Sequence, residues 1–128
     1  MKGISEYLDL HSTALSLRSK RNKVLASNIA NAATPHFKAR DIDFDAEMRK
    51  VQRDGPLHTS SDKHSPVLAR SNGKEMLYRQ PLNASRDGNT VEMNVEQMEF
   101  SENVMRYQTS LTFLNNRISG LMSAIRGE

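Results

Sequence analysis

Histidine, carboxylate and guanidinium groups are where chemistry would begin in this chain. Its four histidines are His11, His36, His58 and His64, the last two sharing a serine-rich stretch with Asp62. A metal site there would want a helical i, i+4 histidine pair or cysteine partners. The chain has no cysteine, so a solvated loop is expected instead. The acidic run Asp41, Asp43, Asp45 and Glu47 lacks the glycine turn and closing glutamate of a calcium loop. It fits a polar stretch or the first turn of a helix, where carboxylates oppose the positive end of the dipole. No active-site constellation emerges, so the expectation is no catalytic residue, no cofactor, no metal and no enzymatic activity.

The basic cluster Arg18, Lys20, Arg21 and Lys23 supports a rival reading. On a dimeric helix it could grip phosphates, as in a small basic nucleic-acid-binding protein. No aromatic interleaving or binding motif accompanies it. A formal charge of +3 and a pI near 9.4 are explained equally well by solubility. Nucleic acid is therefore not the expected partner.

The elements that must position these groups belong to a chain of 128 residues, enough for one core. Only 37% of residues are hydrophobic and 5% aromatic, and tryptophan is absent. Mean hydropathy is −0.65. Little apolar surface is thus available to offset the entropy of ordering the backbone, and help from partners is expected. No stretch approaches the roughly 20 apolar residues of a membrane span. Glu6, Asp9 and His11 interrupt the N-terminus, so any export is expected to proceed without a cleaved signal peptide.

Three segments are expected. Residues 1–33 read as a helix with two adjacent apolar rows. One row holds Ile4, Leu8, Leu15, Leu25 and Ile29, interrupted by His11, Arg18 and Asn22; the other holds Tyr7, Leu10, Ala14, Leu17 and Val24. Thr34-Pro35 is expected to end it, because proline disfavours helical geometry in the residue before it. Residues 34–90 hold all four prolines and the turn pairs Gly55-Pro56, Asn72-Gly73 and Asp87-Gly88. This is expected to be an extended, irregular region, with a candidate β-hairpin of Pro66–Ala69 and Met76–Tyr78 around Asn72-Gly73.

Residues 91–128 carry the strongest pattern. Phe100, Val104, Tyr107, Leu111, Leu114, Ile118, Leu121 and Ile125 fill eight successive positions of a four-three repeat, the seam of a coiled coil. The positions beside the seam, among them Asn103, Gln108, Ser110, Asn115 and Arg117, are nearly all uncharged, and Met105 and Phe113 lie off it. Such a helix is suited to packing on more than one side. The fold class is mainly α, a coiled-coil-like pair of end helices whose helix-packing residues are Leu8, Leu15, Leu25 and the eight seam residues. A soluble helical adaptor or secretion chaperone would share this pattern, but should be folded and dimeric at low concentration.

The first helix runs into Asn28-Ile29-Ala30-Asn31-Ala32-Ala33-Thr34-Pro35-His36-Phe37. Asparagines near a helix end satisfy unpaired carbonyls or bridge to a neighbour, and small residues between them allow close approach. The stretch resembles the N-terminal signature of flagellar rod, hook and hook–filament junction proteins, matched by Asn28, Ile29, Ala30, Asn31, Thr34, Pro35 and Phe37. His36 stands where that signature has glycine, and histidine enters positive φ far less readily. Lys38–Phe44, Asp87–Glu92 and Glu102–Gln108 resemble the proximal-rod branch of the same family. The resemblance implies a structural subunit of the bacterial flagellar basal body, in the rod that spans the periplasm. It implies export by the flagellar type III apparatus and assembly into a helical tube through the terminal helices. The implied partners are copies of itself, other rod proteins, and the membrane-ring protein and rod adaptor at the base.

Overall fold

The computed structural model describes residues 4–53 and 76–127. The order is α1 (Ile4–Ala30), β1 (Arg40–Ile42), α2 (Phe44–Arg53), β2 (Met76–Tyr78) and α3 (Met93–Arg126). The 34 residues of α3 span about 51 Å at about 1.5 Å per residue. The chain is mainly helical, with a small sheet between two long end helices.

α1 stops at Ala30, short of the boundary expected near residue 33. The Asn31 N–H is shared between the carbonyls of Ser27 and Asn28, both at 3.1 Å, and Thr34 N–H closes a turn on Asn31 O at 3.0 Å. The Asn31 side chain also donates back to Ser27 O at 2.8 Å, diverting a carbonyl from further helical winding. α3 ends on Gly127, whose φ of 77° and N–H bond to Ser123 O at 3.0 Å form the usual left-handed stop.

The 34–90 region departs from the extended reading by containing α2. Asp43 caps it, accepting from Ala46 N–H at 3.0 Å, and Asp45 and Glu47 occupy its first turn, as the acidic run suggested. Met76–Tyr78 is a strand, but its described partner is β1, antiparallel, with Arg40 opposite Tyr78 and Ile42 opposite Met76. Pro66–Ala69, Asn72-Gly73, His58, Asp62 and His64 lie outside the described residues.

α1 and α3 pack against each other in antiparallel register. Asn28 meets Glu96, Asn22 meets Asn103, and the His11 and Phe113 rings lie 5.1 Å apart. The buried apolar residues are Leu17, Leu25, Ala39 and Ile42, while Asn28, Glu47, Asn89, Glu96 and Asn103 are buried and polar. Among the described residues, then, the interior is polar as much as apolar, and specific hydrogen bonds must do part of what packing does elsewhere.

The eight-residue seam of α3 is split lengthwise. Phe100, Tyr107, Leu114 and Leu121 are half-buried, whereas Val104 and Leu111 keep 37% of their surface exposed, Ile118 38% and Ile125 79%. The cause is rotational. The bond from Asn28 to Glu96 and that from Asn103 to Asn22 bring the flanking row of Glu96 and Asn103 to face α1, and the far half of the seam turns outward.

Candidate functional site

Two short loops meet where α1 ends and α3 begins. Asn89, 5% exposed, donates through Nδ2 to the carbonyls of Asn31 (3.0 Å), Ala32 (2.9 Å) and Thr34 (2.9 Å). It thereby secures the turn that follows α1 from a distant part of the chain, gathering three of its carbonyls on one amide. Its own Oδ1 accepts from Val91 N–H at 2.7 Å. Thr90 N–H donates to Phe37 O at 3.0 Å, Thr90 Oγ1 accepts from Ala39 N–H at 2.7 Å, and Lys38 Nζ reaches Gly88 O at 2.7 Å. The stretches Asn28–Phe37 and Asp87–Glu92, read separately in the sequence, therefore form one unit.

Asn28 fastens the next layer. It is 1% exposed and matches the Arg40 peptide at two points, Nδ2 to the carbonyl at 2.6 Å and Oδ1 from the N–H at 3.1 Å. Nδ2 also donates to Glu96 Oε2 at 3.0 Å. An asparagine that imitates a strand edge in this way pins β1 to α1.

A charged network surrounds that contact. Arg21 forks onto Asp41 at 2.8 and 2.9 Å and reaches Glu99 at 2.7 Å. Arg79 bonds Asp41 and, at 2.9 Å, the fully buried Glu96. Such bidentate, charge-assisted bonds are the strong class. Burial alone would raise the Asp41 carboxyl, but the bonds and charge of Arg21, the Ile42 amide and Arg79 hold it below the usual carboxylate range. The bonds and charge of Asp41, and then of Glu99, raise Arg21 despite its burial. Half of the basic cluster is thus turned inward: Arg21 is paired, and Arg18 lies over the Phe44 ring at 4.1 Å, while Lys20 and Lys23 are exposed.

An open cleft of about 470 Å³ borders the network, walled by Arg18, Arg21, Asp41, Phe44, Arg79 and Arg106 among others. Its floor is made of ion pairs already satisfied by one another, a bracing arrangement. Among the described residues no group of three or more histidines, cysteines, aspartates or glutamates is placed to hold a metal, and no helix is long and apolar enough to cross a membrane.

The remaining signature residues divide by exposure. Ile29, Asn31 and Phe37 are half-buried, and Ala30, Thr34 and Pro35 are exposed. Leu25 is fully buried, and Leu8 and Leu15 are half-buried on α1. His36 takes φ 61°, so the left-handed turn expected of a glycine is present with a histidine in it.

The chain matches the family model "Flagella basal body rod protein" over residues 8–38. It is 57% identical over 128 residues, all of both chains, to the flagellar basal body rod protein FlgB of Cereibacter sphaeroides. The chain belongs to the FlgB family of flagellar basal body rod proteins. The FlgB proteins of Aeromonas hydrophila, 48% identical over 93% of this chain and 92% of that one, and of Salmonella typhimurium, 43% identical over 89% and 88%, are similar too. This rod-family chain is accordingly a structural, non-enzymatic protein of the flagellar basal body, associating with other rod proteins.

Sequence reasoning missed several residues that hold this FlgB-family fold together: Asn89, Arg79, Glu96 and the inward role of Arg21 and Asp41. A usable signal was present. His11, Arg18 and Asn22 interrupt the apolar row of α1, and all three lie at the α3 contact, through Phe113 or Asn103.

Proposed function

We propose that this chain is a subunit of the proximal rod, which polymerises through the outward half of its α3 seam. The observation that carries the reading is the row Val104, Leu111, Ile118 and Ile125, which the described residues leave 37% to 79% exposed. Met105 (71% exposed) and Met122 (48%) lie beside it. Residues spaced this way form a stripe to which a neighbouring helix is the complementary surface. Covering it stabilises an assembly by on the order of 1 kcal/mol per residue, since only part of each side chain remains to be buried.

The polar bracing at the other end fixes how the stripe is presented. Because the α1–α3 angle is set by hydrogen bonds and ion pairs, each copy offers the same geometry to the next, as a helical tube requires. Export through the flagellar type III apparatus, and contacts with the membrane ring and rod adaptor at the base, belong to the same reading. The absence of cysteine and a small apolar interior favour a chain that is easily delivered unfolded.

The test is complementation of a non-motile strain that lacks the native subunit. A chain truncated after Gly88 should be exported yet leave the cells non-motile, and full-length protein should restore swimming. Normal swimming by the truncated chain would refute the reading. Circular dichroism of the isolated subunit should show helix gained on assembly, where a chaperone or adaptor would be fully folded as a dimer beforehand.

A further inference from the structure

The α1–α3 contact contains a polar layer where helix pairs normally place apolar side chains. Asn103 is fully buried and spends both amide protons on α1, donating to Arg18 O at 2.9 Å and Asn22 Oδ1 at 2.8 Å. Its own Oδ1 is buried without a hydrogen-bond partner. A layer evolved only for stability would not leave an acceptor bare, because apolar replacement of both partners is close to neutral or favourable. Buried polar layers in helix pairs have a better-attested use in fixing register.

We propose that Asn22 and Asn103 are a register lock between the terminal helices, acting beside the Asn28–Glu96 and Arg21–Glu99 contacts. The alternatives they reject are specific. Sliding α3 by one heptad along α1 would bring Asn103 level with Leu15 in one direction and Ile29 in the other, and neither side chain can accept the proton that Asn22 takes. The apolar rows alone do not discriminate, since a four-three repeat presents a similar face after every heptad. A slip would carry the outward stripe about 10 Å along the helix axis, so the lock also sets where that stripe is displayed. The lock acts within one chain and does not depend on the rod assignment.

The cysteine-free sequence gives a clean background for the test. Cysteine pairs are placed at His11 with Phe113, the native neighbours, and at His11 with Arg106 or Gly120, one heptad off. The purified full-length chain is treated with a short bismaleimide linker at low concentration, and intramolecular products are quantified. In the native background the 11–113 product should exceed each shifted product at least tenfold. In N22L/N103L, with the Asn28–Glu96 and Arg21–Glu99 contacts still in place, that preference should fall at least threefold while helicity is kept. If N22L/N103L loses its helicity, N22A/N103A carries the same comparison. A preference unchanged by loss of both asparagines overturns the proposal, including where the variant is merely less stable.

Discussion

The imidazole of His36 fills the space that a side chain on Gly88 would need: a Cβ on Gly88 would stand 2.9 Å from His36 Nδ1. Both residues are in the left-handed region, at φ 61° and 73°, and His36 N–H donates to Asp87 O at 3.0 Å. Two turns that cannot both carry a side chain at this point are thus locked together, the histidine in one accommodated by the glycine in the other.

Gly88→Ala should therefore cost about 2 kcal/mol, part from left-handed strain and part from the close contact. His36→Gly should leave stability within about 0.5 kcal/mol of the parent, because relief of strain offsets the added freedom of the unfolded chain. In the double variant the contact component disappears. Denaturant unfolding of the four proteins should give a total loss smaller than the sum of the single losses; strict additivity would mean that the two turns are independent.

Asp41 sits between Arg21 and Arg79, so Asp41→Asn should destabilise by about 2 kcal/mol, leaving two guanidiniums short of a counter-charge. The pH dependence has a defined sign. Since the folded carboxyl titrates below the unfolded one, its contribution is complete above about pH 4 and is lost as pH falls below that. Unfolding midpoints followed from pH 7 to pH 2.5 should fall more steeply for the parent than for Asp41→Asn.

Asn89→Ala removes one amide from three carbonyls and should cost about 1–2 kcal/mol. Asn89→Asp should be worse at pH 7, because a carboxylate would then face those carbonyls. Hydrogen exchange at residues 28–34 should report the loss before it reaches the middle of α1.

Ile125→Asp, at the most exposed position of the stripe, should leave the unfolding free energy of the isolated subunit within about 0.5 kcal/mol and yet abolish motility in complementation. A variant equally stable and fully motile would exclude the outward stripe from assembly.

The two long helices were legible because their apolar periodicity is strong, whereas the histidine at position 36 spoke against the left-handed turn that the structure shows there. What the sequence concealed was which side of α3 faces inward. The four-three repeat suggests a closed seam, but three asparagines and a glutamate outweigh it by demanding partners, and periodicity carries no information about hydrogen-bond pairing. Arg21 and Asp41 were each visible within a run of like charge. Their pairing across 20 residues could not be read from either run. The β1–β2 pairing was hidden similarly, since the hairpin signal at Asn72-Gly73 points to a nearer strand.

The tie on the turn after α1 also has a consequence in time. Asn89 follows Asn31 by 58 residues, so a ribosome adding about 5–20 residues per second completes the first helix roughly 3–12 s before making the amide that secures the turn after it. Throughout that interval the newborn segment lacks both that amide and its helical mate, and an isolated helix of this kind is marginal in water. The chain thus stays pliant while it is being made and sets only when its far part arrives.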